Sequence, residues 1–157
     1  MAALPAWKRA DTETRLVLQF AMLLHDIGKA TTTAEQLRDG RMRWISPGHE
    51  AAGATLAESF LSRIGSYEAV TRRVLPLVAQ HMAHLVDPTP RAIRRLARRL
   101  APATIEELCL VMTADASGRP PIPDQVPPTV QAIRDQSATL AATDAAPKPI
   151  LLGRHLL

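Results

Sequence analysis

The run Phe20-Ala21-Met22-Leu23-Leu24-His25-Asp26-Ile27-Gly28-Lys29 decides how this chain folds. From Leu16 to Leu24 only Gln19 interrupts the apolar residues, so they fall on nearly every side of a helix. A helix apolar all round is a buried one. The run then delivers an imidazole and a carboxylate side by side and stops at a glycine, a signal for a helix end. This reading puts His25 and Asp26 deep in the fold, at the end of its central element. A buried carboxylate is costly unless it is paired or coordinates a metal, so the stretch predicts a metal site along with a helix.

Upstream, Met1 to Ala10 reads as an irregular lead-in, and Asp11 or Thr12 caps the first helix. Downstream, Thr31-Thr32-Thr33 reads as loop, and Asp39-Gly40 between extended residues marks a small hairpin or a tight loop near residues 36–45. Gly48 opens a second helix whose apolar residues Ala52, Leu56, Phe60 and Ile64 step by four. A third, from Tyr67 to about Leu85, carries Val70, Val74, Leu77, Val78 and His81, with a kink or break expected at Pro76. Thr89-Pro90 starts a fourth, apolar at Ala92, Ile93, Leu96, Ala97 and Leu100. Its outer face is Arg91, Arg94, Arg95, Arg98 and Arg99, which reads as a solvated face. Thr104 opens a fifth, buried helix that ends at Asp115. Five prolines between residues 120 and 128 form an extended linker, and Val130 to Leu140 is a sixth helix. The expected fold is an all-α bundle of about six helices, with the hairpin as its one excursion into strand.

The chain has 157 residues, enough for one domain with one core. Residues 1–144 read as that domain, and residues 145–157 as the opening of a truncated C-terminal segment. No apolar run approaches the ~20 residues of a membrane span, and the N-terminus lacks a signal-peptide layout. The single cysteine, Cys109, sits in the apolar run Leu108-Cys109-Leu110-Val111-Met112 and reads as core. A cytoplasmic protein is expected from these features. Net charge is +4 and the pI about 10.0, which permits contact with phosphate or RNA without demanding it.

The polar residues that break apolar helical surfaces are His25, Asp26, His49, His81 and Asp115. Most lie at helix ends or first turns, where helices of a bundle can aim at one cavity. Mixed imidazole and carboxylate donors suit Mn, Fe, Ni, Zn or Co, one ion or two, with Mg a further candidate. Asp26 is the best placed to bridge two ions. Lys29 adds a cation able to stabilise charge on a phosphoryl group. A divalent metal lowers the pKa of the water it binds and polarises phosphorus; together these are the requirements of phosphoester hydrolysis.

These residues resemble the HD-domain metal-dependent phosphohydrolases. More narrowly, the chain is similar to the C-terminal HD domain of bacterial tRNA nucleotidyltransferases, the CCA-adding and poly(A) polymerase-like enzymes. The matching pieces are Leu24-His25-Asp26-Ile27-Gly28-Lys29, Gly48-His49-Glu50, Gln80-His81-Met82, and Ala114-Asp115 with Gly118-Arg119-Pro120 after it. Pro149-Ile150-Leu151-Leu152-Gly153-Arg154 is similar to the segment next along the chain in that family. The resemblance implies that His25, Asp26 and Asp115 hold the main metal, while His49 and His81 bind a second metal or the substrate phosphate. It implies catalytic roles for Asp26 and Lys29, a phosphate-ester or nucleotide substrate, and tRNA as a partner. The activity implied is that of a phosphomonoesterase or 2′,3′-cyclic phosphodiesterase. The family pattern begins with a His ahead of the His-Asp pair, yet residues 1–24 contain none. That departure keeps an alternative open: a catalytically impaired module that binds RNA or a protein partner.

Overall fold

The computed structural model describes residues 4–118 and 125–143. Its elements in order are α1 (Leu4–Arg9), α2 (Thr12–Leu24), α3 (Lys29–Thr32), β1 (Ala34–Arg38), β2 (Arg41–Ile45), α4 (His49–Arg63) and α5 (Glu68–Gln80). A 3₁₀ turn (His81–Leu85) then leads to α6 (Pro90–Leu100), α7 (Ile105–Ser117) and α8 (Pro128–Thr139). The architecture is all-α with one two-stranded antiparallel hairpin. α5 is packed against both α2 and α4, and α7 against α2 and α8. No described helix is long and apolar enough to cross a membrane.

Local chemistry explains most of the boundaries. Asp11 accepts from the Thr14 amide at 2.9 Å and so caps α2. Thr89 caps α6 with Pro90 at the first helical position. Thr104 and Glu107 satisfy each other's backbone amides in a capping box at α7. In the hairpin, Asp39 (φ +51°) and Gly40 (φ +72°) are the two left-handed residues a tight two-residue turn requires.

Several expectations need correction. The lead-in contains α1, and Thr31 and Thr32 belong to α3, where both hydroxyls donate to the Gly28 carbonyl at 3.1 Å. α2 is not buried all round. Val17, Leu18, Ala21 and Leu24 face the core, whereas Leu16 and Leu23 are 38% and 67% exposed. The inner face of α4 is displaced by one residue from the step-of-four reading. His49, Gly53, Ala57 and Leu61 are buried, and Ile64 is exposed. Small residues at the centre of that face let the neighbouring backbone approach. α5 runs without a break through Pro76. The carbonyl that proline leaves without its helical donor belongs to Arg72, an exposed residue. The change of helix type falls instead at His81. Pro128 starts α8 rather than prolonging a linker, since a first-turn proline lacks nothing the helix needs. The segment 145–157 lies outside the described residues.

Candidate metal centre

The site is assembled from four separate stretches: the end of α2, the start of α4, the 3₁₀ turn and the last turn of α7. His25 and Asp26 come directly after α2, and the chain turns there because Gly28 lies against α4. A methyl group on Gly28 would sit 2.0 Å from the His49 carbonyl oxygen and 2.6 Å from the Gly53 nitrogen. Only glycine allows that approach, and the approach brings His49 to Asp26.

The Asp26 carboxylate is the centre of the constellation. Its Oδ1 lies 3.4 Å from His49 Nε2 and 3.8 Å from His81 Nε2. Its Oδ2 lies 3.3 Å from His25 Nε2 and 2.6 Å from Lys29 Nζ. Asp115, from α7, places Oδ1 3.5 Å from His25 Nε2. The structure therefore brings together all five residues singled out by the sequence, with Lys29 beside them. It places them less deeply than expected: the His25 side chain is 14% exposed and that of Asp26 is 32%. Leu23 faces solvent just before them, so α2 is a wall of the fold at this end, not its axis.

Each imidazole is oriented in the same way. The Nδ1 atoms of His25, His49 and His81 lie 2.8, 2.8 and 2.7 Å from the carbonyl oxygens of Met22, Ser46 and Val78. A carbonyl only accepts, so each Nδ1 carries the hydrogen and donates it. The lone pair of each neutral ring is then on Nε2, the atom aimed at Asp26. This is the orientation metal-binding histidines take when a backbone carbonyl holds the other nitrogen. Residue types alone did not reveal it; the signal, a carbonyl three residues earlier at a helix end, exists only once the chain is folded.

Two features test whether a cation fits. Among the described residues, His25 Nε2 is buried with no hydrogen-bond partner. His49 Nε2 and His81 Nε2 face each other at 3.1 Å. With both Nδ1 atoms protonated, those are two lone pairs in opposition, an arrangement relieved by a shared proton or a metal ion. Asp26, His49 and His81 each offer one ligand atom, all within 4.8 Å of one another. The residues present thus fit a divalent ion. Asp26 reaches both groups of the expected division, Oδ2 toward His25 and Oδ1 toward His49 and His81.

The ionisable groups act on one another, and at His25 a proton on Nε2 competes with a cation for the same lone pair. The Asp115 carboxylate raises His25 above the usual imidazole range against the opposing effect of burial. Burial alone would raise Asp26, but Lys29 and His25 hold it below the ordinary carboxylate value. Burial pushes His81 down, which keeps it neutral.

Beside the centre lies an open cleft of about 720 Å³, lined among others by Lys29, Arg38, Trp44, His49 and Met82. His84, three residues past His81, donates back to the His81 carbonyl at 3.3 Å; His155 lies outside the described residues.

Residues 3–119 match the family model described as HD domain. The chain is 31% identical over 153 residues to an A-adding tRNA nucleotidyltransferase of Deinococcus radiodurans, a match covering 96% of this chain and 34% of that protein. It is 34% identical over 109 residues to a CC-adding tRNA nucleotidyltransferase of Thermus thermophilus, covering 69% and 23%. A multifunctional CCA protein of Alkalilimnicola ehrlichii is 30% identical over 146 residues, covering 84% and 32%. The chain spans about a third or less of the length of these relatives. No solved structure gives a significant match.

Proposed function

The chain belongs to the HD-domain family, and from that premise we propose that it is a metal-dependent phosphohydrolase domain of the kind associated with tRNA nucleotidyltransferases. Its substrates would be phosphomonoesters or 2′,3′-cyclic phosphodiesters. The observation that carries this reading is the convergence of three Nε2 lone pairs on one carboxylate, with every tautomer set by a backbone carbonyl. His25, Asp26, His49, His81 and Asp115 would hold the ion or ions, and imidazole with carboxylate favours Mn, Fe, Co, Ni or Zn over Mg. The metal would supply Lewis-acid activation of water and of the phosphoryl group. Asp26, kept anionic by Lys29, spans the site through its two oxygens. Lys29 and His49 line the cleft and would meet the phosphate there, Lys29 offsetting the charge that develops on its oxygens.

The test is hydrolysis of bis-p-nitrophenyl phosphate and of 2′,3′-cyclic AMP with added Mn or Ni, with metal content measured in parallel. Asp26→Ala is expected to lower the rate at least ~100-fold, since even outer partners of metal ligands cost about 10–100-fold. Equal rates, or no activity in either protein, reject the reading.

A second reading is favoured by one observation: α6 exposes five arginines on one side. It makes the domain an RNA-binding module with catalysis lost. A metal-free yet stable protein whose RNA affinity falls steeply with salt, and is lost in Arg95→Glu with Arg99→Glu, would establish it.

A further inference from the structure

We infer that Thr33 and Ser46 are positioning residues for His49. Their hydroxyls form a clasp at the base of the β1–β2 hairpin that fixes the Ser46 carbonyl, and that carbonyl keeps the hydrogen of His49 on Nδ1 and the Nε2 lone pair open to an ion. The inference rests on the metal centre of the reading above. It gives two residues that supply no ligand atom a part in how tightly the ion is held.

The direction of each hydrogen bond in the clasp follows from its atoms. Thr33 Oγ1 lies 2.6 Å from the Lys29 carbonyl oxygen. A carbonyl only accepts, so the Thr33 hydroxyl donates to it. A hydroxyl has one hydrogen, so the 2.7 Å contact between the Thr33 and Ser46 hydroxyls is filled by the hydrogen of Ser46. The Ser46 carbonyl then accepts from His49 Nδ1 at 2.8 Å. A line of bonded groups thus joins the Lys29 main chain to the His49 ring. Both residues at its ends meet Asp26: Lys29 Nζ is 2.6 Å from Oδ2, and His49 Nε2 is 3.4 Å from Oδ1.

The clasp matters because little else steadies Ser46. Before it stands a hairpin with no buried residue, whose last pair is Ala34 with Ile45. A two-stranded hairpin is marginal by itself. After it comes Pro47, which has no amide hydrogen to give, and then Gly48 at φ +70°. α2, α6 and α7 each start on a side-chain cap, whereas Gly48 offers none to α4. The other His49 tautomer also has partners at hand. A hydrogen on Nε2 would face His81 Nε2 at 3.1 Å and Asp26 Oδ1 at 3.4 Å. The site would then pair with itself and close to an ion. An acceptor held firmly at Nδ1 is what keeps it open.

The test compares Thr33→Val and Ser46→Ala, which remove one hydroxyl each, with Thr33→Ser, which keeps it. Nitrogen NMR of isotope-labelled histidine rings in the metal-free protein reads the tautomers, and calorimetry reads the affinity for Mn. Thr33 is exposed and Ser46 half-buried, so urea midpoints should stay close to that of the parent chain. In Thr33→Val and Ser46→Ala the His49 hydrogen is expected to move toward Nε2, and Mn to bind about tenfold more weakly, the low end for groups that orient a metal ligand. Thr33→Ser should retain both properties. His25 and His81 should keep their tautomers in every variant, because their acceptors are the Met22 and Val78 carbonyls on other elements. An unchanged His49 tautomer in both hydroxyl-free variants overturns the inference. So does a shift of all three rings together, the mark of general loosening. A parent chain that takes up no Mn removes the metal reading, and the His49 tautomer alone then decides the clasp. Tight Mn binding without hydrolysis removes the hydrolase and leaves the clasp standing on the same two readouts.

Discussion

Gly28 has an ordinary helical φ of −65°, so its role is not backbone freedom but the absence of a side chain. Alanine there would drive a methyl into the backbone of His49 and Gly53, which cannot rotate away as a side chain could. Gly28→Ala is expected to destabilise the fold by about 1–3 kcal/mol, the usual cost of overpacking, and to reduce bound metal by moving His49 from Asp26. Urea denaturation with metal analysis checks both effects; a variant with unchanged midpoint and metal content would show that α4 can shift freely. At Cys109 burial raises the thiol to about 12, so the native thiol should resist alkylation at pH 8 until the chain unfolds. The folded form keeps its proton where the unfolded form, near 9, has lost it. Stability from this group is therefore complete below about pH 9 and declines as pH climbs from there toward 12. Labelling faster than global unfolding would contradict the burial. The histidines show what a residue-by-residue reading can yield. His25, His49 and His81 stand out in sequence because they interrupt apolar faces, but the carbonyls that set their tautomers carry no side-chain signature at all.

At the scale of the elements, legibility depended on the kind of physics involved. Capping is local chemistry, so Asp11, Thr89-Pro90 and Thr104 announced three helices correctly, and Asp39-Gly40 announced the hairpin. Burial is a tertiary property, and there the bulk of a side chain misled. α4 turns Gly53 and Ala57 inward because close approach to Gly28 matters more than apolar area. α2 leaves Leu16 and Leu23 in solvent because nothing described packs on that side. The Arg73 link between α5, α2 and α7 was equally illegible, since an arginine among exposed residues looks like any other. It donates to Glu13 at 2.7 Å, to Thr14 at 3.0 Å and to Glu107, which is 6% exposed. Arg73→Met should cost about 3 kcal/mol by leaving the Glu107 charge buried without its partner. Adding Glu107→Gln should recover part of that loss, because glutamine also serves a capping box. A double-mutant cycle from urea midpoints measures the coupling, and strict additivity of the two substitutions would mean the ion pair contributes nothing.

Across the whole molecule the centre does what no single helix contact does. His25 and Asp26 close α2, His49 opens α4, His81 begins the 3₁₀ turn and Asp115 lies in the last turn of α7. Those stretches span most of the described chain, and an ion held by them exists as a site only when all four are folded together. Metal binding and folding are then one linked equilibrium. At a free metal concentration about 100 times the dissociation constant the gain is about 2.7 kcal/mol. For a domain of this size that corresponds to a rise in melting temperature of roughly 5–10 °C. Thermal unfolding with EDTA, then with Mn or Ni in excess, reads the effect directly. Asp26→Asn should abolish it, since that carboxylate joins both halves of the constellation. His84→Ala should leave it intact, since that imidazole turns back to its own turn's carbonyl. A melting temperature indifferent to every ion tried would mean that the facing imidazoles of His49 and His81 share a proton instead, and that the helices hold this geometry without an ion.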